Sequence, residues 1–554
     1  MAKKKNIKGI TFGVVILAIV GLVVFLGLQK KQSVSSDRFI VGVPQEPDTL
    51  HPLFSQTMVS TEVQGLLFEG MVEYDDEWQL HPRIVESIPT LENGGLVKLP
   101  GNRIQTTWKL KEGIKWSDGW PITAEDFIFA YKVIMDNRVP VVSRDMENRI
   151  EKMEATDPRT LVVTWKEPYA YTFFGHSFLP KHILEQAYLK NPDKFHEHEY
   201  NRNPLGNGPY VLKEWKPGAY VSASVNPNYF GDKPQFQNII YKFTGGTTTL
   251  ESDIVTKNID AISPTGTDLS QILDFEKRKG NEFKFGYVDG MVWEHIDLNL
   301  DEPRFQDKRV RQALLYGLNR EEMVQRLFAG KQSVAHSWLP PKHYGYDANV
   351  KKYPYDLEKA KQLLEEAEWK VGPDGVRVNK KGEKLTFILM TTAGNKVRED
   401  IQQLIQEDWK KIGVKVEIQN QPAKVLFGDT LNKRKFKHLL LYALVYSPVS
   451  DGELGWTSKN IPSAKNNWQG QNTTGWRNPE IDVIDSQVPV TLEEEKRKEL
   501  LKKEQTIWVE ELPALPLFWR ADVTVIRKGV ENWKPTGTST PVTWNAEYWR
   551  PVAQ

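Results

Sequence analysis

The sequence predicts an α/β body held outside a membrane by one N-terminal helix, and three observations predict it. A helix carrying Val397, Ile401, Leu404, Ile405 and Ile412 on one face runs through Gly413 directly into the alternating strand Val414, Val416, Ile418, the helix-to-strand step of an α/β unit. Gly9 to Leu28 is a run of 20 residues without a charge. The whole chain has 554 residues, 40% hydrophobic and 26% charged, which is enough to bury cores in two or three domains and excludes disorder for most of its length.

Taken in order, the uncharged run as a helix rises about 1.5 Å per residue and spans roughly 30 Å of hydrocarbon. Lys3, Lys4, Lys5 and Lys8 precede it, against Lys30 and Lys31 after it, so the N-terminus stays cytoplasmic and the body is exported. A cleavable signal has a shorter apolar region and a small-x-small exit. Leu28-Gln29-Lys30-Lys31-Gln32 offers neither, so an uncleaved single-pass anchor in the cell membrane is expected, followed by a polar tether to residue 36. Phe39 to Val43 then reads as a buried strand ending at Pro44. Leu110 to Met135 gives a strand end, a turn at Ser117-Asp118-Gly119 and a helix capped by Thr123, with Phe127, Ala130, Tyr131 and Ile134 on one face. Further helices start at Asp307, with Val310, Leu314 and Leu318 in a stripe, and at Asp356, with Leu357, Ala360, Leu364 and Ala367.

Composition removes several functions. Without the six lysines of the first 31 residues the body has 67 basic against 72 acidic residues, so it lacks the basic character that nucleic acid requires. Zero cysteines exclude disulfides, thiolate metal sites, a cysteine nucleophile and a lipid-modified N-terminal cysteine. His196-Glu-His-Glu199 lacks the i, i+4 spacing that puts two ligands on one helix face, and it is read as a solvated charge run rather than a metal site. Gly175-His-Ser-Phe-Leu179 misses the second glycine of a nucleophile elbow. No catalytic residue, cofactor or metal is assigned.

The segment Leu110-Lys-Glu-Gly-Ile-Lys-Trp-Ser-Asp-Gly-Trp-Pro-Ile-Thr-Ala-Glu-Asp-Phe127 resembles the signature of the family 5 extracellular solute-binding proteins, the peptide-binding receptors of ABC importers. Asn203 to Tyr210, Asn226 to Tyr229, Phe305 to Leu314, Tyr355 to Lys361, Asn478 to Asp482 and Leu512 to Leu517 resemble further blocks of that family in the expected order. The resemblance implies a two-lobed periplasmic-binding-protein-like fold of type II, cluster C-like, with an extra subdomain. Carried onto this chain, lobe I is 37–78, 205–290 and 508–554, the subdomain 79–204 and lobe II 291–507, with hinge crossings near Gly290 and Gln505. It also implies a monomer that captures peptides or peptide-like solutes and delivers them to ABC permease subunits, with no chemistry of its own. A carbohydrate-binding or carbohydrate-active protein and a membrane-anchored peptide sensor remain alternatives.

Periodicity nominates ligand contacts. From Met291 to Leu300, Val292, Ile296, Leu298 and Leu300 share one face while Trp293, His295, Asp297 and Asn299 share the other, which is expected either to look into the cleft or to be an ordinary solvated face. The strand through Leu440, Tyr442 and Leu444 is apolar on both faces, ends at Tyr446, and is followed by a loop carrying Asp451 and Trp456. The expected ligand-binding set is therefore Glu46, Trp293, His295, Tyr446, Asp451 and Trp456. Peptide-binding members of the family carry an Asp-x-x-x-Pro segment whose aspartate pairs with the ligand's α-amine. With Pro448 on that proline, Leu444 takes the aspartate's position, leaving Asp451 as the substitute if its loop folds back.

Overall fold

In the computed structural model, which describes residues 37–552 except 56 and 268, the chain opens with strand β1 (Arg38–Val43), where Phe39, Val41 and Val43 are fully buried. The expected anchor at 9–28 lies outside the described residues, and among those described no helix is long and apolar enough to cross a membrane. Helix α1 (Met58–Leu67) turns Val59, Val63, Leu66 and Leu67 onto β1. A separate antiparallel sheet follows, built from β2 (Leu96–Leu99), β3 (Arg103–Lys109), β4 (Ile150–Asp157) and β5 (Thr160–Trp165) in the order β2-β3-β5-β4. Helix α2 (Ala124–Met135) closes its core over Trp108, Trp116 and Trp165. The local signals act as expected: Gly119 adopts φ 92°, which a side chain disfavours, and the Thr123 amide donates to the Asp126 carboxylate at 2.8 Å.

Apart from three small two-stranded pairings, the remaining strands form one large sheet. They are β6 (Tyr210–Lys216), β7 (Tyr220–Val225), β8 (Asn238–Phe243), β9 (Ala261–Ile262), β10 (Phe283–Leu298), β11 (Thr386–Met390), β12 (Lys415–Ile418), β13 (Leu439–Val445) and β14 (Ala514–Arg527). With β1 their order is β12-β11-β13-β10-β14-β9-β1-β8-β7-β6, and Ser333–Val334 pairs onto β14. Helices α3 (Lys308–Tyr316), α4 (Leu357–Glu366) and α5 (Lys396–Lys410) start at Asp307, Asp356 and Asn395, whose side chains accept main-chain amides. Gly413, at φ 81°, leads from α5 into β12. Helices α6 (Pro479–Gln487) and α7 (Glu494–Glu511) complete the second lobe.

Two cores lie at opposite ends of this sheet. The first holds β1, α1 and β8, and the larger one holds Ile296, Leu314, Ile401, Leu441 and Trp508. Strands β10, 16 residues long, and β14, 14 residues long, run antiparallel through both ends, so they are the crossings between lobes. Their pairing is interrupted between Asp289 and Trp293, next to Gly290, where a Cβ would come within 2.9 Å of the Arg520 carbonyl. Trp508, Leu512, Leu515 and Trp519 belong to the larger core.

The subdomain is tied to the first lobe by one buried charge cluster. Arg83 donates to both oxygens of Glu69, at 2.5 and 2.9 Å, and to Glu547 at 2.6 Å, while the Tyr229 hydroxyl donates to Glu69 at 2.8 Å. Glu69 and Glu547 are buried, and among the described residues Arg83 is the cation that pairs with both.

Candidate ligand-binding site

Where the first lobe, the subdomain and the second lobe meet lies a cavity of about 330 Å³. Tyr74, Trp78 and Phe173 form one wall; Tyr344, Val449 and Arg497 belong to the other. The Trp78 indole is locked by a 2.8 Å hydrogen bond to the Thr536 carbonyl, so its ring is a rigid surface. The walls meet at defined contacts: the Tyr171 hydroxyl donates to Asp451 Oδ2 at 2.7 Å, and the Ala170 amide donates to the Pro489 carbonyl at 2.7 Å. Burial, reinforced by the Asp451 charge, raises the Tyr171 hydroxyl well above the ordinary tyrosine range, so it remains a donor.

Asp451 therefore reaches the boundary between the lobes. Tyr446 is half-buried, packed on Trp293 and Trp338 with ring centroids 6.0 and 5.7 Å away. Trp293 and His295 lie on neither a cleft face nor a solvated one, and Trp456, expected to reach the ligand from the loop after the strand, is buried as well. Trp293 and His295 are 0% exposed and stacked face to face at 4.0 Å and 3°, and Trp456 is 3% exposed. The cause is long-range. Trp456, on the segment after β13, and Trp508, on α7, fold over the Trp293 ring at 6.3 and 5.9 Å. Glu46 is outside the cavity lining as well: it accepts from the Trp215 indole at 2.7 Å and the Gly218 amide at 2.8 Å, which fastens a turn of the first lobe.

Beneath Asp451, a Cβ on Gly452 would collide with the carboxylates of Glu504 and Asp485, so only glycine lets the loop lie this close. Burial, then the charge and hydrogen bond of Asp485, raise the Glu504 carboxyl well above its ordinary value of 4.5. The folded protein thus binds this proton more tightly than the unfolded chain, and stability falls as pH rises above about 4.5, by up to about 1.4 kcal/mol per unit. Glu504→Gln cannot titrate and should flatten that slope, making the variant the more stable protein at pH 8. Urea unfolding at pH 5, 6.5 and 8 checks this, and an unchanged slope would refute it.

Sequence reasoning missed Trp78, Tyr171, Lys342, Tyr344 and Arg497. All but Arg497 lie outside the long regular elements, where no periodicity marks them, and Arg497 sits in a charged helical run that reads as a solvated face.

Residues 80–460 match the model of bacterial extracellular solute-binding proteins, family 5 Middle. The chain is 31% identical over 389 residues to the oligopeptide-binding protein AppA of Bacillus subtilis, covering 69% of this chain and 68% of that one. Among solved structures it resembles the oligopeptide-binding protein of Thermus thermophilus complexed with a pentapeptide, with TM-score 0.63, 33% identity and coverage of 92% and 96%. It also resembles the Bacillus subtilis AppA complex with a nonapeptide, with TM-score 0.64, 25% identity and coverage of 93% and 99%. A two-lobed body with an interlobe cavity and a family match over most of its length place the chain among the family 5 bacterial extracellular solute-binding proteins.

Proposed function

We propose that this protein is the substrate-binding component of an ABC importer, taking a peptide between its lobes and passing it to a membrane permease. The observation that carries the reading is the cavity where the first lobe, the subdomain and the second lobe meet, walled by rigid aromatic rings and by both Lys342 and Arg497, within a chain of this family. Ligand binding drives closure only through its differential affinity for the closed form. Tyr446 and Asp451 are kept as part of the proposed ligand set, whereas Trp293, His295 and Trp456 act as the packing beneath it. Because Tyr171 already engages Asp451, a free α-amine on the ligand is not required.

The soluble body from Asp37, melted against mixtures of short peptides and of oligosaccharides, should be stabilised by peptides. A ligand at 100 times its dissociation constant adds about 2.7 kcal/mol, a rise of several degrees for a chain of this size. Shifts with sugars alone would overturn the peptide reading.

The proposal includes an uncleaved anchor at 9–28, a body on the extracytoplasmic face, and a single chain as the working unit. Its lobes follow 37–78, 205–290 and 508–554 against 291–507, with the subdomain at 79–204 and the later crossing shifted to the Arg520 region. N-terminal sequencing of the protein from cell membranes should return the intact N-terminus, and a mature start between Gln29 and Arg38 would refute the anchor.

A further inference from the structure

Charge is unevenly distributed at the break in the ladder between β10 and β14. Glu294, on the second-lobe side, is 1% exposed and faces two guanidiniums. Arg398, in the first turn of α5, donates to Glu294 Oε1 from Nε at 3.2 Å and from Nη2 at 3.1 Å, and Arg520 Nη2 donates to the same oxygen. Asp522, two residues beyond Arg520, has no cation within 4.0 Å among the described residues. Its Oδ1 lies over Gly290, 3.3 Å from where a Cβ would stand. Burial holds the Asp522 carboxyl up at about 6, and its charge acts on another acid: burial, with the Asp522 charge adding to it, pushes Glu62 to about 7.

One carboxylate thus has two cations and the other has none. Residues i and i+2 of a strand project to one face, and Glu294 pairs across the ladder with Phe518, so Glu294, Arg520 and Asp522 share a side of the sheet. Strand rise separates positions 520 and 522 by about 7 Å, which a pivoting arginine side chain spans. Arg398 is buried and completes a pair with Glu294 by itself, whereas the Arg520 side chain is 42% exposed. Moving Arg520 onto Asp522 would give each acid its own cation, and a carboxylate held out of water is costly without one. Asp522 pairs with Val288 on one side of the break and Glu294 lies on the other, so bending around Gly290 changes the reach from Arg520 to both acids. In the present arrangement the subdomain and second lobe touch through Tyr171 and Asp451. We propose that Arg520 is a two-position clasp on the hinge, bound to Glu294 when the lobes are in contact and to Asp522 when they part. The exchange of partners holds each arrangement in turn, whatever ligand the cavity takes.

The chain has no cysteine, so Lys216→Cys on β6 and Lys381→Cys on the second lobe take nitroxide labels uniquely. Pulsed electron-spin distances in the full-length protein in detergent, without ligand at pH 7.5, give the ratio of parted to contacting lobes. Asp522→Asn leaves Arg520 no second carboxylate, so that ratio should fall by about fivefold or more. In an Arg520→Gln background the same substitution should change it by less than about twofold. The series is measured with and without Tyr171→Phe, which removes an interlobe hydrogen bond and should raise the parted fraction, so that a wild type wholly in contact still gives a reading. An unchanged ratio for Asp522→Asn in both settings, or an equal fall with glutamine at position 520, overturns the clasp. Asp522→Ser replaces the asparagine variant if that one does not fold, and if Arg520→Gln does not fold, the change at position 522 decides alone. Because no ligand is present, a failure to bind peptides removes the peptide reading and leaves the clasp to be decided by the distances.

Discussion

Trp508→Ala should lower the stability of the second lobe by about 3–5 kcal/mol in urea unfolding, the range for truncating a fully buried aromatic side chain. The indole is 0% exposed and packs edge-on against Trp293 at 5.9 Å and Trp456 at 5.3 Å, so its removal leaves a void under both rings. The segment through Trp456 cannot collapse into that void without shifting Asp451 and the cavity wall, so ligand-induced stabilisation should weaken as well. Trp508→Phe keeps a ring in place and should cost much less. A loss below about 1 kcal/mol for the alanine variant would show that the cluster repacks freely, contrary to a close-packed interior.

A loss of similar size is expected from Arg83→Met, for an electrostatic reason. It leaves Glu69 and Glu547 facing each other in a site that excludes water, and breaking a buried pair from one side costs about 3–5 kcal/mol. Burial already raises the Glu547 carboxyl, and Arg83 is the main influence lowering it, so without the guanidinium it rises further. A carboxyl whose pKa is higher in the folded protein than in the unfolded chain binds protons preferentially when folded. The variant's stability should therefore fall as pH rises above about 4.5, making its deficit smaller at pH 5 than at pH 8. Glu547→Gln in the same background should recover part of the loss at pH 8. A deficit independent of pH would mean that lost packing, not the stranded charges, dominates.

What the sequence showed and what it concealed separate by range of interaction. Thr123, Asp307 and Asp356 were legible as helix starts because a cap acts on amides two or three residues away. The strand-plus-helix step at Gly413 was legible for the same reason. Along β10 the alternation of Trp293 and His295 was also visible, but whether that face meets solvent, ligand or core depends on Trp456 and Trp508, more than 150 residues further along the chain. Glu46 illustrates the same limit: its partners Trp215 and Gly218 are 169 and 172 residues away. Arg497 gave no signal, because it sits in a charged helical run while its guanidinium turns to the main-chain oxygens of Thr491 and Leu492.

The two crossings are neighbouring strands of one ladder rather than separate loops, and this sets the mechanics of the molecule. Rotation of one lobe against the other has to twist β10 and β14 together, since they are hydrogen-bonded on either side of the break at Asp289 to Trp293. The compliance is thereby concentrated in a few peptide units around Gly290, while the flanking ladder behaves as a stiff torsion bar. Such a joint permits essentially one degree of freedom and resists sideways shear. Two surfaces more than two hundred residues apart in sequence can therefore return to the same register on every cycle of opening and closing.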